Sequence, residues 1–260
     1  MKIPKVYVVI NQKGGVGKTT TSINLTAGLT LSGKRVLGID LDPQGHYSKF
    51  LGVIVSDEQN TILELMKKEA EFEETVVKTQ YGDIIPADNG LSKYLMELAA
   101  DTNAQFAIKD WLDNVIDNYD FVVIDCPPAI NHFTVAALIA GDRVIIPTEA
   151  EYLSVDGVAM IADSINAAKK RLNPDLKTEG ILLVKHQQKR ALTQDIEEFL
   201  EAIAIKQFDS KVFKTKIRCT VDIPQSQGFR QSVYEYSPKS KGSIDYAAFV
   251  KEIIGGNNNG

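Results

Sequence analysis

Short apolar runs alternate with amphipathic stretches along the whole chain. Residues 6–10, 35–39, 83–86, 121–124, 143–147, 180–184 and 211–213 each read as a strand. Between them, residues 21–31, 104–116, 153–172, 193–204 and 244–254 show helical spacing of apolar positions. Strands that alternate with helices predict right-handed crossovers and a mostly parallel, twisted sheet with helices on both faces. In such an α/β fold, ligands collect at the carboxyl ends of the strands. Residues 54–80 are the most polar internal stretch and are expected to form a surface helix and loop. No internal repeat and no Pro/Gly/Ser-rich linker divides the chain.

The first predicted strand runs into Asn11-Gln12-Lys13-Gly14-Gly15-Val16-Gly17-Lys18-Thr19-Thr20, and a predicted helix follows. A strand, a glycine-rich turn and a helix N-terminus form a phosphate cradle. The glycines let backbone N–H groups converge on one anion, and the helix end adds partial positive charge. Lys18 is placed to reach the β- and γ-phosphates of a nucleotide, and the Thr19 hydroxyl to ligate Mg²⁺. Where the plain pattern opens on glycine, this chain has Gln12, and a second lysine, Lys13, comes next. Two further predicted strands end on acids, Asp40 (followed by Asp42) and Asp125. A carboxylate at the end of a buried strand needs a partner, and Mg²⁺ is one candidate for Asp125. Asp40 and Asp42 have an alternative use, capping a helix that starts near Tyr47.

Composition narrows the class. The chain has 260 residues, 44% hydrophobic, enough for one α/β domain with a sizeable core. Two distant cysteines, Cys126 and Cys219, and three scattered histidines leave no disulfide framework and no metal-ligand spacing. Trp111 lies on a helical face with Ile108 and Leu112 and reads as core. No signal peptide and no run of ~18 apolar residues is visible, so a cytoplasmic protein is expected. Net charge is −5, a weak argument against nucleic acid. Between Lys211 and Lys241, however, seven Lys/Arg face two acids. Such a local patch matters more to a phosphate backbone than the total does.

The phosphate-loop sequence resembles the deviant Walker A box of the ParA/MinD family of ATPases, most closely its ParA/Soj partition branch. The likeness continues through Gly38-Ile39-Asp40-Leu41-Asp42-Pro43-Gln44-Gly45, Phe121-Val122-Val123-Ile124-Asp125-Cys126-Pro127-Pro128, Pro147-Thr148-Glu149-Ala150-Glu151-Tyr152 and Tyr234-Glu235-Tyr236-Ser237-Pro238-Lys239-Ser240-Lys241-Gly242. The resemblance implies one P-loop NTPase domain over residues 1–254, with residues 255–260 a frayed tail. It implies ATP and Mg²⁺ as cofactors, with Lys13, Gly14, Gly15, Val16, Gly17, Lys18, Thr19, Thr20, Glu151 and Arg218 around the nucleotide. Thr19, Asp40 and Asp125 would serve the metal, and Asp42 would position the attacking water. Lys13 would cross a two-fold interface to the nucleotide of a second copy, which ties dimerisation to ATP. A solvated lysine is the plainer alternative, as is a solvated acid for Glu151.

For the ParA/Soj branch the resemblance further implies sequence-independent DNA binding by the ATP dimer. It also implies release on hydrolysis stimulated by a cargo-linked ParB-like partner, and a nucleoid location in the ATP state. Lys189, Arg190, Lys214 and Lys216 are the expected DNA contacts. The family's usual Pro-Arg-Asn-Val-Arg-Leu stands here as Arg218-Cys219-Thr220-Val221-Asp222-Ile223, with Asp222 in place of a basic residue. A MinD-like membrane-site selector is the alternative; it would want a basic amphipathic tip after the last helix, and stable membrane association is not expected. The first strand lies within a few residues of the start, so an operator-reading extension is not expected either.

Overall fold

The computed structural model describes residues 6–98, 103–187 and 191–256. Its strands are β1 (Val6–Val9), β2 (Val36–Asp40), β3 (Val77–Thr79), β4 (Gly82–Ile85), β5 (Phe121–Asp125), β6 (Arg143–Glu149) and β7 (Lys177–Val184). They form one sheet in the order β3-β4-β2-β5-β1-β6-β7. Every pairing is parallel except β3 with β4. The helices are α1 (Lys18–Leu31), α2 (His46–Phe50), α3 (Ile62–Lys67), α4 (Phe72–Thr75), α5 (Gly90–Leu98), α6 (Ala107–Val115), α7 (His132–Ala140), α8 (Tyr152–Arg171), α9 (Ala191–Phe208), α10 (Asp222–Gly228), α11 (Val233–Tyr236) and α12 (Lys241–Gly256).

Strands β1, β2 and β5 are apolar at almost every position because both their faces are covered. Alternate side chains take opposite faces. Val6, Val8, Leu37, Ile39, Val122 and Ile124 join one core, which also takes Ile108 of α6, Phe133 of α7 and Leu200 of α9. Tyr7, Val9, Val36, Val123 and Leu182 join a second, with Leu25 of α1 and Phe249 of α12. Each such side chain contributes roughly 1.5–3 kcal/mol on burial. Gly38 in β2 makes room for the Tyr47 ring, since a Cβ there would stand 2.7 Å from the Tyr47 hydroxyl. Tyr47 in turn bonds Thr26 of α1, so α2 is pinned beside the end of β2.

Several expectations about elements change. Residues 54–80 are not only surface helix and loop. Thr61 opens α3 with a capping box to Glu64, and Ile62, Leu65, Met66 and Phe72 are core residues. Residues 77–79 become the antiparallel edge strand β3, too short for alternation to announce it. Residues 211–213 do not form a strand; Val212 makes a lone bridge to Ile181. The chain rejoins β7 at Ile217, whose N–H donates to the Leu183 carbonyl. Between these points the Lys214 and Thr215 N–H groups donate to the Glu252 carboxylate of α12 and leave the sheet edge. The residues read as one helix, 104–116, are α6 bracketed by single turns of 3₁₀ helix. The last helix runs to Gly256.

Candidate functional site

Strands β1, β2, β5, β6 and β7 all deliver polar residues to the same edge, where a cleft of about 560 Å³ opens. Its floor is the turn between β1 and α1. Gly15 and Gly17 adopt left-handed backbone, at φ +75° and +78°, a region that favours glycine. Asn11 fixes the start of the turn: its amide donates to the Pro147 carbonyl, and its side-chain oxygen accepts from the Lys13 N–H. No side chain caps α1, and its first turn holds no acid. The helix N-terminus therefore offers its N–H groups to an external anion.

Lys18 is buried, and its ammonium donates to the Lys13 carbonyl at 3.1 Å. Burial pushes its pKa below the usual lysine value, against the pull of Asp125. Asp125 is fully buried between two hydroxyls: Thr19 and Ser22 each donate to one of its oxygens at 2.7 Å. Burial pushes its carboxyl up to about 8, the charge of Asp40 adds to the rise, and the two hydroxyl bonds oppose it. Thr19 and Asp125 supply hard oxygen donors side by side, the chemistry that suits Mg²⁺. No group of three or more His, Cys, Asp or Glu among the described residues could hold a metal. A cation here would therefore take few protein ligands and complete its shell from phosphate oxygens and water.

Asp40, expected in the metal shell, also organises the turn beside it. One of its oxygens accepts from both the N–H and the hydroxyl of Ser48 in α2, and the other accepts from the Asp42 N–H. Tyr47 brings α2 against β2, so these donors satisfy Asp40 locally. Its carboxyl still rises to about 6 through burial. The bond to the Ser48 N–H ties Asp40 to the first turn of α2, near the helix start that the sequence offered as its alternative use. Asp42 faces the cleft and holds the turn after it by accepting from the Gln44 N–H.

Gly14, Gly15, Gly17, Lys18, Thr19, Thr20, Asp42 and Arg218 line the cleft together. Val16 is buried behind it. The Lys13 ammonium pairs with Glu151 at 3.1 Å. Arg218 stands in the wall with its guanidinium clamped by the Asp245 carboxylate, at 2.6–3.1 Å, which raises its pKa further. Asp222 accepts from the Thr220 hydroxyl at the start of α10. Of the expected DNA contacts, Lys189 and Arg190 lie outside the described residues. Lys214 is exposed. Lys216 is less free, because its ammonium is held by Glu197, which His186 also contacts.

Several site residues escape a reading of the sequence. Ser22 follows Lys18 by four positions and so shares its helix face, a spacing that could have been used. Gln227, whose amide donates to the Thr20 hydroxyl at 2.6 Å, and Lys185, whose ammonium contacts both Gly15 and Glu149, carry no local signal.

The family described as AAA domain matches residues 4–178. Over 251 residues the chain is 35% identical to the sporulation initiation inhibitor protein Soj of Bacillus subtilis, covering 96% of this chain and 98% of that protein. Over 254 residues it is 34% identical to the chromosome partitioning protein ParA of Caulobacter vibrioides, covering 96% and 94%. Among solved structures, the cobyrinic acid a,c-diamide synthase of Mycobacterium smegmatis with a bound ATP analogue and magnesium superposes with a TM-score of 0.82. It is 30% identical, and the match covers 97% of this chain and 95% of that one.

Proposed function

The chain belongs to the ParA/MinD family of ATPases, and from that premise we propose that it is a Mg²⁺-ATP-driven dimerising switch that binds DNA without sequence preference and positions a cargo. The single observation that carries the proposal is the division of labour between two lysines on one phosphate loop. Lys18 is buried in the cleft, whereas Lys13 is part-exposed and held by an acid of its own chain.

In the proposed cycle the loop amides and the α1 N-terminus bind the phosphates, and Lys18 leaves the Lys13 carbonyl to neutralise them. Thr19 and Asp125 would hold Mg²⁺, which would supply charge neutralisation for the transferred phosphoryl group. Asp42 orients water from the rim of the cleft, and Asp40 holds the Asp42 N–H and α2 in place. Lys13 exchanges Glu151 for the nucleotide of a second copy, which stabilises charge that builds during transfer. An exposed lysine–glutamate pair contributes about 0–1 kcal/mol, so breaking it costs little. One of the sequence relatives above is a chromosome partitioning protein. This supports a cargo role and a ParB-like stimulating partner over the biosynthetic activity named for the solved homologue.

Two measurements test the proposal. In sedimentation, wild type is expected to dimerise with a slowly hydrolysed ATP analogue and to remain monomeric with ADP. Lys13→Ala is expected to bind the analogue as a monomer, and an unchanged dimer peak would refute the cross-interface role. In polarisation titrations against two unrelated duplexes, affinity is expected to rise on adding the analogue, equally for both, and to fall steeply with salt. Lys214→Glu is expected to weaken both duplexes alike by about threefold or more, as the loss of a phosphate contact requires. Equal binding in ADP and ATP would sink the switch, and a dimer that ignores DNA would direct the search to a membrane or protein partner.

A further inference from the structure

Strand β7 is not a neighbour of β1, yet its end forms the back wall of the phosphate loop. Val184 lies 3.6 Å from where a Cβ on Gly17 would stand. Lys185, the next residue, takes left-handed backbone at φ +50°, a conformation that costs a lysine roughly 1 kcal/mol and persists only where the surroundings enforce it. From there its ammonium donates to the Gly15 carbonyl at 2.9 Å and to the Glu149 carboxylate at 2.8 Å. Glu149 lies opposite Val184 in the β6–β7 register and is mostly buried, whereas Lys185 is half-exposed. The acid thus holds the ammonium against the loop.

We propose that Lys185 is a positioning residue for nucleotide binding: anchored by Glu149, it fixes the Gly15–Val16 peptide of the phosphate loop. In a trans peptide the carbonyl and the following N–H point in opposite directions. A cation on the Gly15 carbonyl therefore sets the direction of the Val16 N–H. Left to itself, a Gly-Gly-Val-Gly turn samples many peptide orientations, since glycine populates φ of either sign with similar ease. Some of those orientations would present a carbonyl to the phosphate. Pre-setting one peptide removes that ordering cost from binding. Lys185 is distinct from Lys18, which enters the cleft, and from Lys13, which pairs outside it. It acts through the loop backbone, so it is expected to matter equally for ADP and ATP and to precede dimerisation.

The inference rests on the nucleotide-binding reading, and one set of titrations separates the two. Mg²⁺-ADP and a slowly hydrolysed ATP analogue are titrated calorimetrically into wild type, Lys185→Met, Lys185→Arg and Glu149→Gln. Met keeps the apolar stem and removes the donor; Arg keeps a donor. Lys185→Met is expected to weaken both nucleotides by roughly three- to tenfold, the range for one part-exposed, charge-assisted hydrogen bond. Glu149→Gln is expected to weaken them less, and Lys185→Arg to restore most of the loss. The thermal midpoint without nucleotide is expected to stay within about 2 °C of wild type. Turnover at saturating ATP is expected to hold, so the defect appears in KM. Unchanged affinity in Lys185→Met would overturn the inference. So would a fall in the nucleotide-free midpoint that tracks the affinity loss across the three variants, because that would make the contact merely structural. Wild type that binds neither nucleotide would overturn the functional reading, and the inference with it.

Discussion

Lys18→Ala is expected to lose nucleotide binding by about 100-fold or more and to leave the nucleotide-free fold as stable as wild type. The first effect follows from what remains in the cleft. The loop amides and the α1 N-terminus carry only partial charges, and the carboxyl groups of Asp42 and Asp125 stand at the same edge, where a phosphate must meet them. Lys18 is the buried cation at this end of the cleft, since Lys13 pairs with Glu151, the half-exposed Lys185 with Glu149 and the Arg218 guanidinium with Asp245. A charge-assisted contact made in a desolvated site contributes up to ~3 kcal/mol, which is about 100-fold in affinity. The second effect follows from burial. The ammonium is held against its own desolvation by the Lys13 carbonyl and the nearby acids. Removing it deletes a cost along with a contact, so the two roughly offset. Calorimetric titration with Mg²⁺-ATP and a thermal melt without it check both. Binding within threefold of wild type would refute the assignment of Lys18.

Asp125→Asn is expected to abolish Mg²⁺-dependent hydrolysis, by about 100-fold or more, and at the same time to raise the thermal midpoint of the nucleotide-free protein. The carboxyl is fully buried at the end of β5, and its pKa is pushed up to about 8 from an ordinary value of 3.8, first by burial and then by Asp40. The folded state therefore keeps a proton that the unfolded state has already released. Wherever the folded state binds more protons, stability falls as pH rises. The penalty is absent below about pH 4, grows from there to about pH 8, and is constant above it. An asparagine carries no such penalty, and its amide oxygen can still accept from Thr19 or Ser22. The variant and wild type are thus expected to melt together near pH 4. They should diverge with rising pH, reaching about 3 °C or more above pH 8. A variant that melts below wild type at pH 8 would show that the carboxylate stabilises the empty fold. Such an opposition of stability and activity is expected where a site holds charge ready for a ligand.

Much of the site was readable without coordinates because its parts are contiguous. The glycine-rich turn is one run of ten residues, and its glycines, lysines and threonine stand at fixed spacing. Asp40 and Asp125 announced themselves as acids terminating apolar strands, and the alternation of such strands with helices gave the parallel sheet. These signals are local, and tertiary structure had only to avoid contradicting them. What Asp40 bonds was a different matter. No local pattern names its partners, and the packing of Tyr47 over Gly38 supplies them by bringing Ser48 within 2.7–2.9 Å.

The sequence by itself determined the α/β class and the run of residues that turns between β1 and α1. Only the tertiary structure decided what surrounds them. It put Gln227 on Thr20 across 207 residues and Lys185 on Gly15 across 170. It also placed Glu252 where it draws the Lys214 and Thr215 amides off the edge of β7. The reason is physical. A periodic pattern reports which face of an element is buried, but not which elements become neighbours. Neighbours are fixed by strand order and by helix packing across the sheet, whose free energy is spread over many weak contacts that no short segment records.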